Sequence, residues 1–321
     1  MANGITQPHP APYPAPGPGT VAGALEAALA ERRFALTAEI TPPRGADPDA
    51  IRHKAAALRG AVDAVNVTDN QTARVSMSPL AAAILLRDAG VEPVLQLQTR
   101  DRNRLALQSV LLGASAHGIH NLLCLGGDPM HIGNDPTATA VHDLDATGLI
   151  ALARQLRDEG RDYGGAELTK APHFIIAGTC NPFGGTTDKA LDLVEAKLDA
   201  GADFFQTQAI FDVPRFVEFL DAARARGVLP RARLLAGVVP LKSAKMAHHL
   251  AEKVPGIVIP PETLARFDAA PDAAALGVEH AADLLAALKH QPGIAGVHVM
   301  AVAWEERVPE ILRRAGLERA P

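Results

Sequence analysis

Polar side chains gather at the downstream ends of apolar runs in this chain. Glu39 and Thr41 end "FALTAEIT", Thr68 and Asp69 end "VDAVNVTD", and Gln96 and Gln98 end "VEPVLQLQ". Thr179 and Asn181 close "HFIIAGTCN", and Gln206 and Gln208 close "ADFFQTQ". Another run, "LLCL", passes straight into Gly126-Gly127-Asp128-Pro129. An unpaired buried polar group costs about 1–3 kcal/mol, so polar residues collected on one rim point to a ligand that satisfies them. The glycine pair removes side chains where something must lie against the main chain, or where the chain turns with positive φ. Asp128 then either caps that turn or faces the ligand.

Glu39 alternates with Ala38 and Ile40, which puts its carboxyl on the opposite face from both. Two readings of that carboxyl stand at this point: an ion pair with a lysine or arginine inside the fold, or a general acid working near neutral pH. After Asp128 the chain runs "PMHIGNDPTATAVHDLD" to Asp145, rich in turn formers. A long loop after a strand is often a ligand cover, with His131 and His142 as contacts in it or as plainly solvated side chains. No GxGxxG or Walker-type phosphate loop is present, and the twelve histidines show no metal-ligand spacing.

The elements that must carry these residues follow a repeat. A helical stretch ends near a glycine and an apolar strand follows, at Gly60, Gly90, Gly118, Gly201, Gly227 and Gly293. With "FALTAEI" and "HFIIAGT" the strands number about eight, the count of a closed (β/α)8 TIM barrel in which reactive groups sit at the strand carboxyl ends. Between them, Val213, Phe216, Val217 and Leu220 form one apolar helical stripe, with Asp212 as its N-cap, and Leu191, Val194 and Leu198 form another. Such strands between amphipathic helices belong to a parallel sheet, α/β in class. An open doubly wound sheet is the alternative, and the succession of units favours closure. Residues 1–20, proline-rich and free of Asp, Glu, Lys and Arg, are expected to be a disordered tail; residues 21–321 are expected to form the catalytic barrel, opening on a short helix in "VAGALEAALAERR".

Composition narrows the function. Of the 321 residues 48% are hydrophobic and 4% aromatic, and the net charge is −5, with no basic stripe for nucleic acid. No apolar run reaches the roughly 18 residues of a membrane span, and no basic-then-apolar leader opens the chain, so we expect a cytoplasmic protein off the membrane. The two cysteines, Cys124 and Cys180, fit a reducing compartment and make neither a disulfide framework nor a metal site.

In this order and spacing, "AEITPPRG", "VNVTDNQ", "TRDRNRLALQ", "LLCLGGDP", "AGADFFQTQAIFD" and "HVMAVAWEERVPEIL" resemble the methylenetetrahydrofolate reductase family, across about residues 34–316. The resemblance implies an FAD-dependent barrel that reduces 5,10-methylenetetrahydrofolate to 5-methyltetrahydrofolate, or runs the reverse oxidation. It implies that Glu39 assists opening of the folate's five-membered ring. It puts Asp128 beside flavin and pterin, and Gln208 on the pterin ring. The FAD positions it implies are Thr68, Gln96, Leu125, Gly126, Gly127, Asp128, Asn181 and Lys197, with His142 as a further contact. Many relatives carry histidine where this chain has Gln96 and Asn181. Met246 and Leu250 stand where others engage the nicotinamide, so the donor is NADH, NADPH or an electron-delivering partner subunit. A homo-oligomer with no C-terminal regulatory domain is expected. The alternative is a non-catalytic or methyl-handling folate-binding barrel.

Overall fold

Runs rich in Val, Leu and Ile alternate here with stripes of helical period, and the chain resolves that pattern into alternating strands and helices. The computed structural model describes residues 23–319; the tail expected over 1–20 lies outside them. The order begins α1 (Ala24–Ala30), β1 (Ala35–Ile40), α2 (Pro48–Leu58), β2 (Ala64–Val67), α3 (Pro79–Asp88), β3 (Pro93–Gln98), α4 (Arg104–Ala116) and β4 (Asn121–Leu125). It continues α5 (Ala146–Asp158), β5 (Ile175–Cys180), α6 (Thr187–Ala200), β6 (Phe204–Ala209), α7 (Val213–Ala225) and β7 (Leu234–Val238). The last elements are α8 (Ala244–Lys253), α9 (Pro261–Ala269), α10 (Ala273–Leu288), β8 (Ile294–Val299) and α11 (Val308–Arg314).

The strands close in sequence order into one barrel, and β1 pairs in parallel with β8 through Ala35↔Gly296 to Ala38↔Val299. That closure excludes the open doubly wound sheet. One helix follows most strands, but three (α8, α9, α10) fill the connection from β7 to β8. The α7 stripe is rotated from the expected one: Phe216, Phe219, Leu220 and Ala223 are buried, while Val213 and Val217 are only half-buried. Asp212 does cap that helix, accepting from the Arg215 backbone N–H at 3.0 Å.

Alternation along each strand makes two apolar layers. Leu36, Ala38 and Ile40 of β1 face outward into the layer shared with the helices. Ala35, Ala64, Val94, Leu123, Ile175, Phe204 and Leu235 face inward at the amino-terminal end of the lumen. Leu25, Ala28 and Leu29 of α1 pack into this inner cluster, so α1 plugs the floor of the barrel. The Glu92 carboxylate fixes the plug by accepting from the backbone N–H groups of Ala24 and Leu25, and Asn121 Nδ2 donates to it at 2.8 Å. Burial pushes the Glu92 carboxyl above its ordinary range, against the pull of those donors. No described helix is long and apolar enough to cross a membrane.

Because Leu25 is fully buried, Leu25→Ala is expected to cost about 2–5 kcal/mol, the range for deleting a buried leucine side chain. Urea unfolding of wild type and variant measures this. A loss below about 1 kcal/mol would separate α1 from the cooperative unit of the barrel.

Candidate active site

Above the apolar floor the lumen turns polar, and its first polar layer satisfies itself. Asn66 Nδ2 donates to Gln206 Oε1 at 2.7 Å, and Gln206 Nε2 donates back to Asn66 Oδ1 at 3.1 Å. Gln206 Nε2 also reaches Thr37 Oγ1 at 3.4 Å, and Thr37 Oγ1 lies 2.9 Å from His298 Nδ1. These side chains come from β1, β2, β6 and β8, so the layer ties opposite walls of the barrel together. Gln206, read from the sequence as a rim residue, therefore belongs to the scaffold beneath the site.

Glu39 stands one layer higher, its side chain 10% exposed. Gln96 Nε2 donates to Glu39 Oε2 at 2.7 Å, and His298 Nε2 lies 3.7 Å from that same oxygen. Among the described residues no lysine or arginine pairs with Glu39, which removes the internal ion-pair reading. Glu39 Oε1 has no partner there and is the oxygen open to a ligand. Gln96 spends its amide N–H on Glu39. Gln208 is half-buried at the end of β6; its Oε1 accepts from the Ala209 backbone N–H at 3.1 Å, and its Nε2 has no partner among the described residues.

The Gly126-Gly127 pair divides into two roles. Gly127 has φ +92°, and a Cβ there would run into Gln98 Oε1 and meet Arg100 Cβ at 2.8 Å, so the protein's own packing demands glycine. A Cβ on Gly126 would meet nothing within 4 Å, so this backbone borders open space. Leu125, just before it, is half-buried. Asp128 Oδ2 accepts from the Thr72 backbone N–H at 2.7 Å. The carboxylate thus caps the neighbouring loop between β2 and α3, and its other oxygen remains available.

A buried arginine that sequence reasoning left without a role holds these loops. Arg100 is 1% exposed; it donates to the Asp128 carbonyl at 2.8 Å and the Asn70 carbonyl at 3.3 Å. Its backbone N–H donates to Gly126 O at 3.1 Å, and its carbonyl accepts from Val141 N–H at 2.7 Å. Asp101 balances it, accepting from Arg100 Nε at 2.7 Å, Gln98 Nε2 at 2.7 Å and Asn70 Nδ2 at 3.1 Å. Burial pushes the Asp101 carboxyl up, but the Arg100 and Asn70 hydrogen bonds outweigh it and hold the group below its ordinary value of 3.8. Asp69, expected on the rim, is committed to Arg102 at 2.6 Å and to the Gln98 backbone N–H at 3.0 Å. The signal for Arg100 and Asp101 was the charge cluster "TRDRNR"; for His298 it was a lone histidine in an alternating apolar strand.

The expected cofactor positions fall into two groups. Thr68 Oγ1 and Asn181 Oδ1 are buried without a hydrogen-bond partner, and with the bare Gly126 backbone they fit a polar ligand lying over the strand ends. Lys197 is turned inward: its Nζ donates to the Thr179 carbonyl at 2.6 Å and hydroxyl at 3.3 Å. No carboxylate forms an ion pair with it among the described residues, and burial lowers its pKa. The thiols of Cys124 and Cys180, close to Lys197, are pushed up to about 12 by burial. His142 is exposed at φ +44°, fixed between Val141 N–H on Arg100 O and Asp143 on Arg104. Met246 and Leu250 are half-buried against the core. Among the described residues no cluster of three or more His, Cys, Asp or Glu is arranged to hold a metal ion.

A family model described as methylenetetrahydrofolate reductase matches residues 24–316. The chain is 24% identical over 258 residues to methylenetetrahydrofolate reductase 2 of Schizosaccharomyces pombe, covering 78% of this chain and 39% of that protein. It is 25% identical over 252 residues to a probable methylenetetrahydrofolate reductase (NADPH) of Caenorhabditis elegans, covering 76% of this chain and 35% of that protein. The chain thus spans well under half the length of these curated relatives. Among solved structures, an uncharacterized protein from Clostridium thermocellum that binds two copies of 5-methyl-5,6,7,8-tetrahydrofolic acid superposes with a TM-score of 0.66 at 13% identity. That match covers 89% of this chain and 97% of that one, a likeness of fold.

Two outcomes follow from the Arg100 clamp. Arg100→Met removes the cation beside the Asp101 carboxylate and leaves the Asp128 and Asn70 carbonyls without their donor, with an expected loss of about 1–3 kcal/mol, read by urea unfolding, and faster proteolytic nicking within 129–145. Unchanged nicking would detach Arg100 from the loops. The second outcome concerns acid. The folded Asp101 pKa lies below 3.8, so its contribution is complete above that value and is lost as pH falls through the lowered folded value. Hydrogen exchange at the Arg100 and Val141 amides, corrected for intrinsic rates, is expected to gain speed only below pH 3.8.

Proposed function

Because the chain belongs to the methylenetetrahydrofolate reductase family, we propose that it interconverts 5,10-methylenetetrahydrofolate and 5-methyltetrahydrofolate with FAD as its bound cofactor. The observation that carries this reading is the state of Glu39: a carboxyl group inside the lumen with Oε2 held by Gln96 and Oε1 unpartnered. Reduction of the methylene bridge requires its five-membered ring to open, and the departing ring nitrogen needs a proton. Glu39 supplies that proton from Oε1, where a positioned acid contributes typically 10²–10⁴-fold in rate, on the order of other general acids. Ring opening leaves a cationic iminium on the pterin side. Asp128 offers its free carboxylate oxygen to that charge, and stabilising charge that develops during reaction is usually the largest catalytic contribution. Gln208 donates its unpartnered Nε2 to the pterin ring and orients it.

The residues that would hold FAD are Thr68, Gln96, Leu125, Gly126, Gly127, Asp128, His142, Asn181 and Lys197. Their fit is supported by the unpartnered oxygens of Thr68 and Asn181 and by the open backbone at Gly126. Bound FAD, once reduced by the electron donor, would supply the hydride for the methylene carbon. In the reverse direction Glu39 takes back the proton as the ring closes. Electrons reach the site from NADH, NADPH or a partner protein; Met246 and Leu250, standing where relatives engage the nicotinamide, speak for the partner. The compartment of this reading is the cytoplasm, in keeping with two cysteines that form no disulfide.

The test is anaerobic oxidation of 5-methyltetrahydrofolate by the purified full chain with an artificial electron acceptor, alongside the visible absorbance of the protein as isolated. Glu39→Gln is expected to keep the flavin absorbance and lose about 10² or more of the folate turnover; near-normal turnover would remove Glu39 from the chemistry. Asp128→Asn is expected to raise the flavin reduction potential, since removing a nearby negative charge favours the electron-rich reduced ring. A spectroelectrochemical titration with an unchanged potential would leave Asp128 as a loop cap. A colourless wild type that binds methyltetrahydrofolate without oxidising it would replace this reading by that of a folate-binding barrel.

A further inference from the structure

We propose that His298 is a positioning residue for Glu39, determining which carboxyl oxygen carries the acid proton; this rests on the reading of Glu39 as the acid. His298 is 2% exposed on β8, with Nδ1 2.9 Å from Thr37 Oγ1 and Nε2 3.7 Å from Glu39 Oε2. The Thr37 hydroxyl has one proton and two acceptors within reach: His298 Nδ1 at 2.9 Å and the Val297 carbonyl at 3.3 Å. Glu39 Oε2 faces Nε2, and a carboxyl oxygen there favours an N–H on that nitrogen over a bare lone pair, so the hydroxyl, which accepts from Gln206 Nε2 at 3.4 Å, turns its proton to Nδ1 in place of the longer Val297 contact. Nδ1 is then an acceptor, and the neutral imidazole carries its proton on Nε2. The partner of one ring nitrogen in this way sets the state of the other.

That tautomer aims an N–H at Glu39 Oε2, the oxygen that already accepts from Gln96 Nε2 at 2.7 Å. At 3.7 Å the imidazole acts as an oriented dipole short of a full hydrogen bond. With two N–H groups converging on Oε2, the neutral carboxyl keeps Oε2 as its carbonyl oxygen and carries its proton on Oε1. Oε1 is the oxygen with no partner among the described residues, so the proton faces the ligand space. The lock extends below Glu39 through His298, Thr37 and the reciprocal Asn66–Gln206 amide pair. The pair, the hydroxyl and the imidazole come from four different strands, so the barrel walls themselves set the orientation.

Two substitutions separate this role from simple scaffolding. A glutamine at 298 returns an N–H near the Nε2 position, toward Glu39, whereas an asparagine returns one near Nδ1, toward Thr37. His298→Asn is expected to lower kcat for methyltetrahydrofolate oxidation by about 10-fold with KM unchanged, as for a residue acting through another group. His298→Gln is expected to recover most of that loss, and adding His298→Asn to Glu39→Gln is expected to change nothing further, because the two act as one unit. Equal impairment by Asn and Gln, multiplying fully with Glu39→Gln, would reduce His298 to scaffold.

A readout independent of turnover accompanies these rates. The imidazole ¹⁵N resonances of His298, assigned by their loss in His298→Gln, are expected to show an unprotonated Nδ1 and a protonated Nε2, and to shift in Glu39→Gln. Resonances of the opposite tautomer, or no shift in Glu39→Gln, would overturn the inference. A wild type without folate turnover would instead overturn the reaction assigned to the site, and the resonances would still decide the coupling of His298 to Glu39.

Discussion

Closing parallel strands into a barrel sends every second side chain into a lumen with no room for bulk water. Each polar group there must find a partner in the protein or in a ligand. The depth of the site follows from that constraint. At the floor the inward positions are apolar and α1 seals them with Leu25, Ala28 and Leu29. One layer up, Asn66, Gln206, Thr37 and His298 consume one another's hydrogen-bonding capacity. Among the described residues of the lumen, polar atoms go unpaired above that layer: Glu39 Oε1, the Gln208 amide nitrogen, Thr68 Oγ1 and Asn181 Oδ1. The polar middle layer thus serves as a rigid base on which the open layer stands.

The rim obeys a different rule, because loops there have no ladder to hold them. Asn70, Thr72 and Ala73 lie at φ +40°, +54° and +52°, conformations that cost of order 1–3 kcal/mol each for residues with a Cβ. They persist because Arg100 and Asp101, in the loop after β3, and Asp128, in the loop after β4, pin this segment in place. The two loops also interlock, with Asn134 accepting from Val75 N–H at 3.2 Å and Gly133 set against the Ala73 carbonyl. Asp128 therefore carries a structural load with one carboxylate oxygen, while its other has no hydrogen-bond partner among the described residues. A carboxylate held in this way cannot rotate freely, which suits the role proposed for it toward developing charge.

Much of this was legible in the residues alone. The repeat of helix, glycine and apolar strand required a β/α succession, and the alternation at Glu39 separated it from Ala38 and Ile40, which do pack in the outer layer. Turn chemistry marked the loop after Asp128. These features are local, set by side-chain period and by backbone freedom within a few residues, and a linear pattern records them directly.

What the pattern could not contain was the pairing of polar groups across the lumen, because partners there are separated by most of the chain. Thr37 and His298 meet only when β1 closes on β8. Gln206 looks equivalent to Gln208 two residues later, yet one is spent on Asn66 and the other opens to the site. Asp69 and Glu39 both end apolar runs, and only the fold commits the first to Arg102 and leaves the second an unpartnered oxygen. The sequence by itself determined the barrel, its polar rim and the inward place of Glu39 on its first strand. The tertiary structure alone decided which polar residues satisfy each other and which remain for a ligand, since hydrogen-bond satisfaction depends on distances that only barrel closure creates.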